Sequence, residues 1–384
     1  MTLRCNNQFI MKPNNPFFIS GYQSPAYFCD REQESKILQE ALYNGRNITL
    51  MAPRRMGKTG LVRHVFYQLR ALEPDIITLY MDIYSTQNLG DFVRLFANTV
   101  LGQLDAAPQK ALNRIAKFIK RCRPVVTFDE LTGVPKVSVE IAPDDEVASL
   151  KEIFDYLKSA DKRCYIAIDE FQQITAYPEK GVEALLRSYM QFVPNVNFIF
   201  SGSKQHVMQT MFLSAKKPFY QSTQMLTIGP IDREVYYQFA AGFFSERQLT
   251  LPRAVFEAMY ERFGGHTWYM QNLLNRLYSY AIPVDEKAVA HALDEIVAES
   301  TYAYEHLLNA YAPNIGRLLK AIAVEGCVKE ILSGKFIGKY HLKAASSVNA
   351  SLRKMLDNEL VYKTPDGYIV YDRFMGEWLR RQGF

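Results

Sequence analysis

Cysteine is scarce and scattered in this chain. Its 5 cysteines (Cys5, Cys29, Cys122, Cys164, Cys327) include no CxxC pair, and its 6 histidines form no cluster. That pattern argues against a zinc site or a disulfide framework and fits reduced thiols in a cytoplasmic protein. No apolar run approaches the roughly 18 residues that a transmembrane helix needs, so no membrane partner is expected. The first residues lack the basic start and long apolar core of a signal peptide. Charge of one sign is also in short supply. The formal net charge is +5, too weak by itself to argue nucleic-acid binding. No internal repeat, low-complexity segment or effector module such as a nuclease or protease is visible. What the chain has in plenty is aromatic: Tyr and Phe number 24 each, which suits extensive interdomain packing. Its 384 residues allow two or three domains with cores of their own.

The most informative stretch is Ile48-Thr-Leu-Met-Ala-Pro-Arg-Arg-Met-Gly-Lys-Thr59. A short β-branched run leads into a glycine-lysine-threonine turn. Leu61, Val62, Val65, Phe66 and Leu69 then recur at helical spacing. Strand, phosphate loop and helix in that order predict a P-loop that binds a nucleoside triphosphate. Backbone N–H groups of the loop and the helix N-terminus attract the phosphates. The expected nucleotide contacts are Pro53, Arg54, Arg55, Met56, Gly57, Lys58, Thr59 and Gly60. Gly57 leaves room for a phosphate, Lys58 reaches the β/γ-phosphates, and the Thr59 hydroxyl ligates Mg²⁺. The strict pattern has glycine at position 52, where this chain has Ala52, the mildest replacement.

A second run, Cys164-Tyr-Ile-Ala-Ile-Asp-Glu-Phe-Gln-Gln173, reads as a buried parallel strand ending in two carboxylates. Asp169 is placed to hold Mg²⁺ and Glu170 to orient or deprotonate an attacking water. A third strand, Asn197-Phe-Ile-Phe-Ser-Gly-Ser203, ends in hydroxyl residues. Ser201 is the candidate sensor of the γ-phosphate, with Ser203 in reserve. Serine and glycine also simply end strands.

The remaining pattern predicts an α/β fold: a P-loop NTPase core with a parallel sheet, then a helical lid domain, then a C-terminal winged helix. The expected boundaries are an arm at 1–30, the core at 31–230, the lid at 231–310 and the winged helix at 311–384. Asp30 is the expected N-cap of the first helix. Residues 105–148 read as an insertion. Its basic run (Lys110, Arg114, Lys117, Lys120, Arg121, Arg123) suits a solvated helix face better than a nucleic-acid contact. Val125 to Ile141 then predicts a hairpin or a pair of edge strands. Gly264-Gly-His266 breaks the lid, and His266 is either a nucleotide contact or a capping or surface histidine. In the last segment, helices at 313–325, 327–333 and 347–357 precede a hairpin joined at Thr364-Pro-Asp-Gly367. Its recognition helix offers only Arg353, Lys354 and Asn349 to DNA, which is thin for a DNA reader.

Several motifs together resemble a known family. Asn15-Pro-Phe-Phe with Gly21, then Phe28-x-x-Arg31-x-x-Glu34, precede the loop Arg54-Arg-Met-Gly-Lys-Thr59. Asp169-Glu-Phe-Gln172, Phe200-Ser-Gly-Ser203, Met211-Phe212, Pro218-Phe-Tyr220 and Gly265-His-x-x-Tyr269-x-Gln271 follow. This order is similar to the archaeal and bacterial ATPases of the STAND group, a signalling branch of the AAA+-like P-loop proteins. The resemblance covers about 15–275. It implies an ATPase core, a helical lid and a winged helix that folds back over ADP, with ATP exchange opening the form and often driving oligomerisation. It also implies that the arm at 21–31, with Arg31, flanks the adenine and that the turn at His266 approaches the phosphates. Thr267 stands where the family commonly has proline, and Lys204 where an arginine is common, so no arginine finger can be named. Arg54 and Arg55 suit trans contacts or, more simply, loop packing.

The leading expectation is therefore a slowly hydrolysing Mg²⁺-ATP switch, with a homo-oligomer and an effector or sensor protein as its partners. Its alternative is a DNA-binding initiator or loader ATPase that uses the winged helix. Kinase-type transfer to a small molecule fits less well, because an Asp-Glu pair suits water activation.

Overall fold

A computed structural model describes residues 13–104, 122–128, 135–141, 145–160 and 162–383, with backbone alone for 102–141. The basic run from Lys110 to Arg121 lies outside the described residues. The chain divides into two compact units. One is Ser20–Asp232, and the other joins the N-terminal residues up to Ile19 to Arg233–Phe384.

In the first unit the chain alternates helices and strands. Helix α1 (Glu32–Tyr43) precedes β1 (Ile48–Met51), α2 (Lys58–Leu72), β2 (Ile77–Asp82) and α3 (Leu89–Leu104). Strands β3 (Cys122–Phe128) and β4 (Pro135–Ile141) follow, then α4 (Glu146–Ser159) and β5 (Cys164–Asp169). A 3-10 turn (Phe171–Ala176), α5 (Val182–Met190), β6 (Val196–Gly202), α6 (Gln205–Leu213) and β7 (Gln224–Thr227) complete it. Among the described residues the main sheet has the order β2-β5-β6-β1-β7 and is parallel throughout. Consecutive strands β1 and β2 are thus separated by β6 and β5. That non-sequential order opens a crevice at the C-terminal strand ends, where ligands of open α/β sheets bind.

Strands β1, β5 and β6 are buried along their whole length, as continuous apolar runs predict for a sheet covered on both faces. Alternate side chains sort into two cores. Cys164, Ile166 and Ile168 of β5 join Phe198 and Phe200 of β6 against Phe92 and Phe96 of α3 and Ile153 of α4. On the other face, Tyr165, Ala167 and Ile199 join Ile48 and Leu50 against Leu38 of α1 and Leu61 and Val65 of α2. Strands β3 and β4 form a separate antiparallel pair, from Cys122 opposite Ile141 to Phe128 opposite Pro135. The alternating pattern of that stretch is a hairpin ladder.

In the second unit, α7 (Arg233–Glu246), α8 (Arg253–Phe263), α9 (Thr267–Tyr280) and α10 (Glu286–Asn309) form a helical array. Phe17 of the arm is fully buried among Phe239, Phe243, Phe244 and Tyr278. Two amides fasten it. Asn15 Nδ2 donates to the Asn275 carbonyl at 2.8 Å, and Asn275 Nδ2 donates to the Phe17 carbonyl at 2.6 Å.

Helices α11 (Pro313–Glu325), α12 (Gly334–Lys339) and α13 (Ala345–Asp357), strands β8 (Val361–Thr364) and β9 (Gly367–Val370), and α14 (Arg373–Arg381) build the winged helix. Sequence periodicity misplaces its second helix, expected at 327–333. Val328 instead pairs with Tyr368 as an antiparallel bridge, with N–H···O distances of 2.9 and 2.8 Å. The helix starts only after Ser333, whose hydroxyl caps the Phe336 N–H at 3.2 Å. The expected cap of α1 also moves. Arg31 occupies the N-cap position in a left-handed conformation, and the Asp30 carboxylate accepts from the Asp232 N–H at 3.4 Å.

Candidate functional site

The candidate site sits at the C-terminal ends of β1, β5 and β6. As β1 ends, Ala52 is fully buried and its methyl joins the core beneath α1 and α2. The loop then turns through Arg55 (φ 64°) and Gly57 (φ 93°) into α2. Glycine suits the second position, because a side chain is strained at that φ. Gly57 is the N-cap of α2, so the first N–H groups of the helix face the loop. Pro53 and Arg54 are half-buried, Arg55 is exposed and Met56 is buried. Arg54 lies over the Tyr84 ring at 5.3 Å, which is a packing role. Lys58 opens α2 and is 6% exposed, its ammonium donating to the carbonyls of Ala52 at 3.0 Å and Pro53 at 3.2 Å.

Thr59 and Asp169, each expected at the metal, meet in the structure. The Thr59 hydroxyl donates to Asp169 Oδ2 at 2.8 Å. A residue that sequence reasoning gave no role completes the group: the Tyr80 hydroxyl donates to the same oxygen at 2.5 Å. Burial, and next the Asp169 carboxylate beside it, raise the Tyr80 phenol far above its usual value, so it remains a donor. Arg63 lies over its ring at 4.6 Å. The signal for Tyr80 is its strand position. β2 pairs directly with β5, and Asp82 lies opposite Asp169 in register. Burial pushes the Asp82 carboxyl up, and the charges of Asp169 and Glu170 push it further.

Glu170 takes a left-handed turn (φ 54°) as β5 ends. Its Oε2 accepts two hydrogen bonds, from Gln172 Nε2 at 2.5 Å and from the Ser203 hydroxyl at 2.6 Å. The reserve serine is therefore the one that touches the acidic pair. Ser201 is 1% exposed, and its hydroxyl has no hydrogen-bond partner among the described residues. It shares the sheet face of Ile199 and stands opposite Leu50 of β1. Gly202 between the serines has no room for a Cβ, which would collide with the side chains of Gln172 and Met208. Gln172 lies in the Asp169-Glu-Phe-Gln172 motif, but nothing in the sequence assigns it to Glu170.

Arg31 is 4% exposed and holds the loop from outside. Its guanidinium donates to Gly229 O at 2.6 Å and Met56 O at 3.5 Å, and it pairs with Glu34 at 2.9 Å. Gly60 is half-buried against the Phe28 ring. Phe28 in turn stacks on His64 of α2 at 4.2 Å, and the Tyr22 hydroxyl lies 3.0 Å from His64 Nδ1. Residues 22–31 are thereby pinned against the helix that follows the phosphate loop. His266 belongs to the second unit, as the N-cap residue of α9, where its side chain makes no capping bond.

Among the described residues no cluster of three or more His, Cys, Asp or Glu could hold a metal, and no helix is long and apolar enough to cross a membrane. Cys29, Cys164 and Cys327 are free thiols.

Comparison with known proteins agrees with this geometry. Residues 28–273 match the family model of an ATPase domain predominantly from Archaea, and residues 302–381 match a probable winged helix domain. Among solved structures, the Walker-type ATPase PABY2304 of Pyrococcus abyssi superposes with a TM-score of 0.65 at 18% identity. That alignment covers 95% of this chain and 99% of the other. The ORC2 protein of Aeropyrum pernix, solved in ADPNP-ADP complexes, gives 0.60 at 15% identity over 96% and 98%. The ORC1 protein of Aeropyrum pernix, solved with DNA, gives 0.55 at 14% identity over 96% and 97%. At these identities the likeness is one of fold. No curated protein sequence matches the chain.

Proposed function

Because this chain belongs to the family of ATPase domains found predominantly in Archaea, we propose that it binds Mg²⁺-ATP, hydrolyses it slowly and works as a nucleotide-controlled switch of the STAND kind. The observation that carries this reading is the joint position of Lys58, Thr59, Asp169 and Glu170 at the mouth of one sheet. The residues suit the metal. Thr59 Oγ1 and Asp169 Oδ2 are hard oxygens 2.8 Å apart, and Mg²⁺ is usually held by one or two such protein oxygens together with substrate phosphates. When bound, Mg²⁺ neutralises charge on the triphosphate.

The chain's own residues supply the rest. N–H groups at Gly57 to Gly60 and the start of α2 bind the phosphates, and Lys58 attracts the β/γ-oxygens. Glu170, held on one oxygen by Gln172 and Ser203, orients a water with the other and accepts its proton. Arg31, Pro53, Arg54, Arg55 and Met56 shape the loop, Ser201 or Ser203 reads the γ-phosphate, and His266 contacts the nucleotide. The arm at 21–31 flanks the adenine.

The moving body of the switch is the second unit as a whole. Arg262 of α8 forms a two-pronged ion pair with Glu377 of α14, which ties the winged helix to the helical array. Self-assembly on ATP binding and an effector or sensor protein as partner belong to this reading. So does a cytoplasmic location.

The test is the nucleotide carried by freshly purified protein, quantified after denaturation. Trapped ADP near one per chain supports a closed switch. An empty site with free turnover of added ATP counts against it. A second reading, a DNA-binding ATPase, is favoured by Arg353 and Lys354 of α13 and by the fold shared with the DNA-bound ORC1 protein. It requires duplex binding that weakens steeply with salt.

A further inference from the structure

Two adjoining cavities lie along the winged helix and the end of α10. One, of ≈ 250 Å³, is enclosed by α11, α13 and the segment 342–343. Its floor is apolar, with Leu318 and Val348 almost fully buried and Pro313 and Leu342 beside them. Asn314 Nδ2 donates to Ser351 Oγ at 2.7 Å across the same cavity and fixes the two helices. The other, of ≈ 870 Å³, runs along Leu308, Tyr311 and Gly316. Both cavities share Pro313 and Arg317, so they form one groove that passes Arg317.

The rim of this groove is basic. Arg317 and Lys343 are exposed, Lys320 is half-buried, and the Lys354 ammonium stands 6.0 Å from the Tyr311 ring. Three other cations of the winged helix are paired: Lys339 with Glu325, Arg380 with Glu377 and Arg381 with Asp294. Among the described residues Arg317, Lys320 and Lys343 have no carboxylate partner. Between positions 311 and 354 the acidic residues are only Glu325 and Glu330, against eight Lys and Arg, so a chain of +5 concentrates its positive charge here.

We propose that this groove docks an acidic amphipathic peptide segment of a partner protein, its aliphatic or aromatic anchors on Leu318, Leu342 and Val348 and its Asp and Glu side chains on Arg317, Lys320 and Lys343. An apolar floor with a basic rim matches that alternation. Duplex DNA is the less suitable occupant. It would use the rim charges alone and leave the apolar floor facing a phosphate backbone. The site makes no use of nucleotide, so its test and that of the ATPase reading fail independently.

The experiment is fluorescence anisotropy of the full chain, without nucleotide, using labelled 14-residue peptides. The first alternates Asp and Glu with Leu and Phe. A second replaces the Leu and Phe by Ala, a third replaces the Asp and Glu by Lys, and a 20-base-pair duplex is the rival. The first peptide binds saturably and at least about tenfold more tightly than the other two peptides. Arg317→Glu combined with Lys343→Glu, both at exposed positions, weakens it about tenfold or more while the thermal melt is unchanged. Equal binding of the Ala peptide, no effect of the double reversal, or displacement of the peptide only by duplex DNA would each overturn the proposal.

Discussion

Replacing Glu170 by glutamine tests the hydrolytic reading most finely, because the geometry separates its charge from its contacts. Glu170 Oε2 receives both Gln172 Nε2 and Ser203 Oγ, at 2.5 and 2.6 Å. A glutamine whose amide oxygen takes the Oε2 position keeps both bonds, so the strand end and the phosphate loop are undisturbed. What it loses is a base. General-base assistance is worth about 10²–10⁴ in rate, or about 2.7–5.5 kcal/mol at 1.36 kcal/mol per tenfold. The expected outcome is a fall in kcat of that size, with the ATP dissociation constant changed by less than about threefold. Single-turnover phosphate release gives the rate, and titration with a fluorescent ATP analogue gives the affinity. Ser203→Ala removes one hydrogen bond to a charged group, about 1.5 kcal/mol, and so slows turnover about tenfold. Ser201→Ala leaves the Glu170 contacts intact, so a rate spared by it would assign the γ-phosphate reading to Ser203. Near-normal turnover in Glu170→Gln would refute the assigned role. Loss of ATP binding in that variant would refute the claim that charge and geometry separate here.

Three further outcomes follow from packing and charge. Tyr80→Phe leaves the buried Asp169 with Thr59 as its side-chain donor, and urea denaturation should show a loss of about 1–3 kcal/mol. Phe17→Ala empties an aromatic cage in the second unit and should cost about 3–5 kcal/mol, read as a lower melting temperature. For Glu377, burial raises the carboxyl pKa, but the Arg262 hydrogen bonds, with Arg380 and Arg262 charge, prevail and hold it below the ordinary carboxylate value. Its folded-state value is thus depressed, and its stabilisation is present above the unfolded value and lost as pH falls through the folded one. Arg262→Ala leaves burial opposed by the Arg380 and Arg381 charges without the Arg262 hydrogen bonds, so melting curves from pH 7 to pH 3 should show the variant's deficit shrinking with acid. A deficit that grows with acid would contradict the sign.

Much of this architecture was legible because its signals are local. Strand, loop and helix around Lys58 are consecutive in sequence, and Asp169 and Glu170 are adjacent. The pairing of Thr59 with Asp169 followed from the chemistry that joins such motifs. Tyr80, Gln172 and Ser203 were not legible as partners. Their contacts depend on β2 lying beside β5 and on Gly202 admitting the Gln172 side chain, facts of strand order and close approach. The same limit applies to the winged helix. The segment 327–333 has helical composition, but the pairing of Val328 with Tyr368 keeps its start extended and delays the helix to Ser333. Nor do local signals reveal the bonds of Arg31, whose guanidinium reaches backbone carbonyls 25 and 198 residues away in sequence.

The most direct test of the central claim is calorimetric titration of ATP with Mg²⁺ into nucleotide-stripped protein, wild type beside Lys58→Ala. Lys58 is buried at the start of α2 with its ammonium on the loop carbonyls. The account predicts one site per chain in the wild type and no measurable binding in the variant. A wild type that binds no nucleotide, or a Lys58→Ala chain that binds it undiminished, would contradict the phosphate-loop site on which the proposed function rests.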